Sequence, residues 1–213
     1  MRHLTFALFS FFAIAMGLQA NGLIDFEFTP AVVLLPGDSM TTQGFVLSLS
    51  GGADVFASIP NGCISGCATN GSRTMAIYNG GVLSLSLPDG SLFSLYAFDI
   101  AGTLLDSDRN VTTIGVLGWL PDGGNVSVAL AVNDPNSFSS LTLPSSFDGL
   151  VSADFYSLAP VCADCADFQL DNISANANPT PEPETALLAL CGVLAVMACS
   201  WMSGFHRTRA LQK

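Results

Sequence analysis

Between residues 21 and 174 apolar and polar positions alternate in short runs, broken at close intervals by Gly, Asn, Asp and Pro. Alternation sends successive side chains to opposite faces, so each run predicts a half-buried β-strand and each break a turn. Ile24, Phe26 and Phe28 alternate with Asp25 and Glu27, while "FVLSLS" at 45–50 and "VLSLSL" at 82–87 set apolar residues against serines. Further strands are predicted over 74–78, 91–100, 111–119, 126–132, 138–143, 151–158 and 168–173, with turn signals such as "PDG" at 88–90 and "PDGG" at 121–124. No stretch combines helical periodicity with caps. The pattern therefore predicts an all-β protein, an antiparallel β-sandwich.

The pattern changes at both ends. Arg2 and His3 precede a mostly apolar stretch, Leu4 to Leu18, and then Gln19-Ala20, which is the layout of a secretory signal peptide over residues 1–20; Ala13-Ile14-Ala15 offers an earlier cut. Near the other end, Pro181-Glu182-Pro183 is followed by an uncharged apolar run from Thr185 to Phe205 and then by Arg207, Arg209 and Lys213. A run of roughly 20 residues rising about 1.5 Å each spans a hydrocarbon core of about 30 Å. The basic residues behind it predict a cytoplasmic tail and an outward-facing body. The expected layout is a signal peptide 1–20, one sandwich domain 21–174, a flexible Pro-rich linker 175–184, a transmembrane helix 185–205 and a basic tail 206–213.

The tripeptide, apolar helix and basic end, in that order, resemble the PEP-CTERM sorting signal of Gram-negative bacteria with exopolysaccharide systems. The resemblance implies Sec-type export, arrest in the membrane through residues 186–205, and processing by an exosortase. It assigns the sorting role to Pro181, Glu182, Pro183, Arg207 and Arg209. The body resembles the β-sandwich carried by many PEP-CTERM proteins, through "GSLFSLYAFDIAG" at 90–102, "TTIGVLGW", "SFSSLTLPSSFDGLVSADFYS" at 137–157 and "DFQLDNIS" at 167–174. Such bodies are similar to carbohydrate-binding jelly rolls and galactose-binding-like domains. The likeness implies a jelly-roll form, suggests exopolysaccharide as a partner, and places a structural calcium ion on Asp25, Glu27 and Asp171, an all-oxygen set of the kind calcium takes.

Charge narrows the partners. The chain has 17 acidic and 6 basic residues, for a net charge of −11. All the acids but Glu182 and Glu184 fall in the body, whose only cationic residues are Arg73 and Arg109. Such a surface repels phosphates, which excludes nucleic acid and anionic lipid and leaves cations or neutral and basic partners.

Cys191 and Cys199 belong to the apolar helix; Cys63, Cys67, Cys162 and Cys165 belong to the body and are expected as disulfides in an oxidising compartment. Three pairings are open to four cysteines, and the local pairs are favoured because each sits in its own polar loop. A four-thiolate zinc site and a redox role for Cys162–Cys165 are the weaker alternatives, the latter because Asp164 and Asp167 would raise the thiol pKa. The only histidines, His3 and His206, lie in the targeting segments, so no Ser-His-Asp, Cys-His or histidine-metal chemistry can be built in the body. The reading is a non-enzymatic structural or glycan-binding protein of the cell surface or extracellular matrix, with no catalytic residue named. A membrane-tethered glycosidase or lyase using paired carboxylates is the alternative. A glycan platform would draw on Trp119, Tyr78, Tyr96 or Tyr156, although burial is the commoner fate of a lone tryptophan.

Overall fold

The structure is a computed structural model that describes residues 21–60, 68–103, 111–134, 136–158 and 167–177. The expected signal peptide, the four body cysteines, Arg109, the Pro-Glu-Pro motif, the transmembrane helix and the basic tail lie outside the described residues.

Thirteen strands form two antiparallel sheets. β1 (Asn21–Ile24), β2 (Val32–Leu34), β5 (Phe56–Ile59), β6 (Met75–Tyr78), β8 (Phe93–Ala101), β11 (Ser139–Thr142) and β13 (Phe168–Ala177) make a seven-stranded sheet in the order β11-β8-β13-β6-β5-β2. β8 lies along one side of β13, so β6 and β1 share the other: β6 pairs with Phe168–Leu170 and β1 with Ile173–Asn176. β3 (Ser39–Thr42), β4 (Phe45–Ser50), β7 (Val82–Ser86), β9 (Thr113–Trp119), β10 (Asn125–Ala131) and β12 (Ser152–Ser157) make a six-stranded sheet ordered β10-β9-β12-β7-β4-β3. The described body is thus an all-β sandwich, as the alternation predicts.

The core lies between the sheets because each strand turns one side chain in two inward. Leu47, Leu49, Leu83, Leu85, Val116 and Phe155 from the six-stranded sheet meet Ile77, Phe93, Phe98, Ile100, Phe168 and Leu170 from the other, all of them buried. Two aromatic pairs tie the sheets edge to face: Phe45 with Phe93 at 5.7 Å between ring centroids, and Phe98 with Phe155 at 5.2 Å. Each such pair contributes about 0.5–1.5 kcal/mol beyond its buried area.

The first predicted strand departs from the pattern. The strand is Asn21–Ile24, and the chain then turns, with Phe26 at a positive φ of 58° and the Thr29 N–H donating to the Phe26 carbonyl at 3.0 Å. Phe26 is wholly buried and Phe28 is 93% exposed, so the two are not face-mates on one strand. β2, β3 and β5 were not legible as separate strands, and β13 runs on to Ala177 rather than stopping at Ile173.

Candidate functional site

The outer face of the six-stranded sheet collects the side chains that alternation turns away from the core. Reading across the register, one row runs Asn125, Trp119, Ser152, Ser86, Val46, Thr41, and the next runs Ser127, Leu117, Asp154, Ser84, Ser48, Ser39. Strands lie about 4.8 Å apart, so each row is roughly 24 Å long. The floor is made mostly of short hydroxyl side chains, because the serines that alternate with leucine in β4 and β7 face outward while the leucines fill the core.

Two aromatics stand on this floor. Trp119, at the end of β9, is 39% exposed, and its indole Nε1–H donates to Asp154 Oδ2 on β12 at 2.9 Å. The other oxygen of Asp154 accepts from the Ser84 hydroxyl at 2.6 Å. One carboxylate therefore fixes the indole and a floor serine together. Tyr156, two residues along β12 from Asp154, lies against Gly115, its register partner on β9. A Cβ at Gly115 would come within 2.4 Å of the Tyr156 ring, so only glycine lets that ring settle there. Trp119 and Tyr156 are thus four residues apart along the strand direction, about 13 Å, with Asp154 between them. Asp154 is the only ionisable acid on the six strands.

No protein-family pattern matches the sequence, and no curated relative does. Among solved structures, the sandwich is similar to the CBM22-1 xylan-binding domain of Paenibacillus barcinonensis Xyn10C, at 16% identity over 77% of this chain and all of that one, with a TM-score of 0.46. It is also similar to the family 11 carbohydrate-binding module of cellulase Lic26A-Cel5E of Clostridium thermocellum, at 16% identity over 70% and 95% of the two chains and a TM-score of 0.39. An exo-β-agarase matches at 12% identity over 76% of this chain and 25% of that one, with a TM-score of 0.45. These are likenesses of sandwich architecture only.

The other aromatics do not join this face. Tyr78 stacks on Phe56 with ring centroids 4.3 Å apart, and burial pushes its hydroxyl pKa up. Tyr96 is exposed on the seven-stranded sheet, where its hydroxyl accepts from Asn176 at 3.3 Å.

The three expected calcium ligands belong to a different place, beside the seven-stranded sheet. Asp25 Oδ1 accepts from Gln43 Nε2 at 2.8 Å and from the Glu27 N–H at 3.2 Å. Glu27 Oε1 accepts the Arg73 N–H at 2.9 Å. Asp171 is fully buried, where β13 has passed from β6 to β1 and its ladder has a gap. Asn70 and Ser72 fill that gap and donate to Asp171 Oδ2 at 2.8 and 2.5 Å; Oδ1 has no hydrogen-bond partner among the described residues. Burial, and secondarily the facing Asp99, raise the Asp171 pKa against the lowering effect of its donors. No group of three or more His, Cys, Asp or Glu side chains that could hold a metal occurs among the described residues. Calcium also takes amide and carbonyl oxygens, and the buried Asp171 Oδ1 is an anchor to which such oxygens could be added.

Trp119 and Tyr156 were named from sequence; Asp154, Ser84 and Gly115 were not. β12 carries the signal, since "SADFYS" puts Ser152, Asp154 and Tyr156 on one face. What joins them to Trp119 is the β9–β12 register, a long-range pairing that alternation alone does not give.

Proposed function

We propose that this is an exported PEP-CTERM protein whose jelly-roll sandwich binds a neutral polysaccharide of the cell surface or extracellular matrix and does not turn it over. The observation that carries the binding half is the Trp119–Asp154–Ser84 constellation with Tyr156 on an open, hydroxyl-rich sheet face. Sugars present apolar C–H faces to aromatic rings and hydroxyls to short polar side chains, and this face offers both. The lone carboxylate and the absence of any Lys or Arg from the six strands disfavour uronates and sulfated glycans. The alternative, a tethered glycosidase or lyase, needs two carboxylates converging within about 5–10 Å, and the six strands supply one. Binding of neutral polysaccharides by the wild-type protein, lost in Trp119→Ala, is the test; product release from any of them would favour the alternative.

The export half rests on the C-terminal Pro-Glu-Pro, apolar run and basic tail, with the exosortase and the export machinery as partners. Replacing Pro181, Glu182 and Pro183 with alanine leaves an intact membrane-anchored form in the native host, and normal processing of that variant would sink the assignment.

A structural calcium ion remains part of the proposal, anchored by Asp171. The buried Oδ1, which has no hydrogen-bond partner among the described residues, supports it: a carboxylate oxygen short of donors costs stability, and a cation would use it.

A further inference from the structure

Five of the described strands, β1, β2, β3, β10 and β11, pair on one side only, and these edges are not alike; β1 has four residues and ends next to Asp25. β2 has three residues bracketed by Pro30 and Pro36, β3 has four beginning next to Asp38, and β11 has four with Pro144 soon after. Short strands, prolines and charges are the usual devices that stop a sheet edge from recruiting another strand. β10 has none of them: it runs seven residues, Asn125–Ala131, without charge, proline or a break in its register with β9.

Its backbone is also set for pairing. The Leu120 N–H donates to the Gly124 carbonyl and the Val132 N–H to the Thr112 carbonyl, each at 2.9 Å. Because an antiparallel ladder alternates, the backbone groups of Val126, Val128 and Leu130 bond toward β9, and those of Asn125, Ser127, Ala129 and Ala131 point away from it, to the open edge. The inward side chains Val126, Val128 and Leu130 are only partly buried against the core, so this end of the sandwich is left ajar.

We propose that β10 pairs antiparallel with β10 of a second copy of this chain, joining the two six-stranded sheets into one. The strand is self-complementary. Centred on Val128, Asn125 faces Ala131 of the other copy, Val126 faces Leu130, and Ser127 faces Ala129. All seven residues pair, edge-facing backbone meets edge-facing backbone, and the half-buried aliphatics cover one another. The outer-face pairs are small and uncharged and the inner-face pairs aliphatic on both sides, so along these seven residues a second copy meets no clash, no like charge and no polar group set against an apolar one. The same register draws Asp122 of each copy toward Asp134 of the other. Hydrogen bonds from Ser137 and Asn136 hold the Asp134 carboxyl below the usual carboxylate range, so it stays ionised. Like charge at both ends opposes pairing, and the acidic body adds to it. Association is therefore weak in dilute salt and strengthens as salt screens the charge. The proposal stands independently of glycan binding, but pairing would place the two Trp119 faces side by side on one sheet.

The test is sedimentation velocity of the full chain in detergent, between about 0.01 and 1 M salt, over which the Debye length falls from about 30 to about 3 Å. The expected result is a shift from monomer to dimer as salt rises. Ala129→Pro removes only an edge-facing N–H, so it leaves the β9 ladder intact and keeps the protein monomeric at all salts, whereas Ala129→Thr dimerises like wild type. Asp122→Asn with Asp134→Asn brings dimerisation to lower salt. A wild type that stays monomeric in high salt overturns the proposal. So does a dimer that survives Ala129→Pro, because association then runs through another part of the chain.

Discussion

On the outer face of the six-stranded sheet, most side chains between Trp119 and Ser39 are short, hydroxylated and at least partly exposed; on the outer face of the seven-stranded sheet, Gln169 and Asp171 are 4% and 0% exposed. Both faces carry polar residues, but they meet different demands. Exposed serines can exchange water for a ligand's hydroxyls at little cost. Covered groups must find partners within the protein. Gln169 does so fully, accepting from Thr74 at 2.7 Å and donating to the Gly102 carbonyl at 2.5 Å. Among the described residues, Asp171 does so on one oxygen only. The open face therefore suits recognition and the covered face structure, with Asp171 the point where the second face is unfinished.

The sharpest way to break that contrast is Trp119→Ala. If the open face binds glycan, loss of its central exposed ring costs about 2–4 kcal/mol, a fall in affinity of roughly thirty- to several-hundred-fold by isothermal titration. Thermal stability should hardly move, because the side chain lies outside the core. A binding loss seen instead in Tyr96→Ala, on the other sheet, would reverse the assignment of roles to the two faces.

Asp171 tests the covered face. Its pKa is raised in the folded state, so folded protein holds this proton more tightly than unfolded protein. The group's contribution to stability is fully present below the ordinary carboxylate pKa and is lost as pH rises through its folded value. In chelator, Asp171→Asn should therefore flatten the decline of melting temperature with rising pH. A calcium ion at the free oxygen would reverse the trend near neutrality: added calcium raises the wild-type melting temperature, and Asp171→Asn abolishes the gain. Calcorimetric scans with and without calcium read both effects, worth about 1–3 kcal/mol and a few degrees. An identical response of wild type and variant would remove calcium from the account.

The two faces were not equally legible in the sequence. Serines alternating with leucines over 45–50 and 82–87 announce a sheet with one wet face, and the structure has that face. Period two is a local property and survives reading one strand at a time. The covered face depends on long-range events: β13 changes partner from β6 to β1, and Asn172 takes a φ of 47° beside a register shift. No residue near 171 signals that Asn70 and Ser72, about a hundred positions earlier, will cover it. Phe26 and Phe28 misled for a related reason, since a turn at Phe26 imitates alternation for two residues and then breaks it.

Gly115→Ala sharpens the geometry of the open face. The new Cβ would overlap the Tyr156 ring at 2.4 Å, and that ring sits on the outside of the sheet, free to swing away. The expected cost in stability is about 1 kcal/mol or less, while glycan affinity falls about tenfold if Tyr156 must lie flat to bind. An unchanged affinity would reduce the platform to Trp119 alone.

The smallest effect belongs to Ser84→Ala. Its hydroxyl donates to Asp154 Oδ1 at 2.6 Å, while the indole holds Oδ2 at 2.9 Å. Removing the hydroxyl leaves the carboxylate in contact with water, so no buried charge is stranded and folding is little affected. Binding should weaken about fivefold, or about 1 kcal/mol, if Ser84 merely steadies Asp154. Asp154→Asn separates steadying from charge: its amide oxygen can still accept from the indole. A neutral ligand would lose little affinity to it, and any charged or amino sugar that relies on the carboxylate would lose much more. The pair of variants thus tells whether the acid on the open face holds the tryptophan in place or reads the ligand itself.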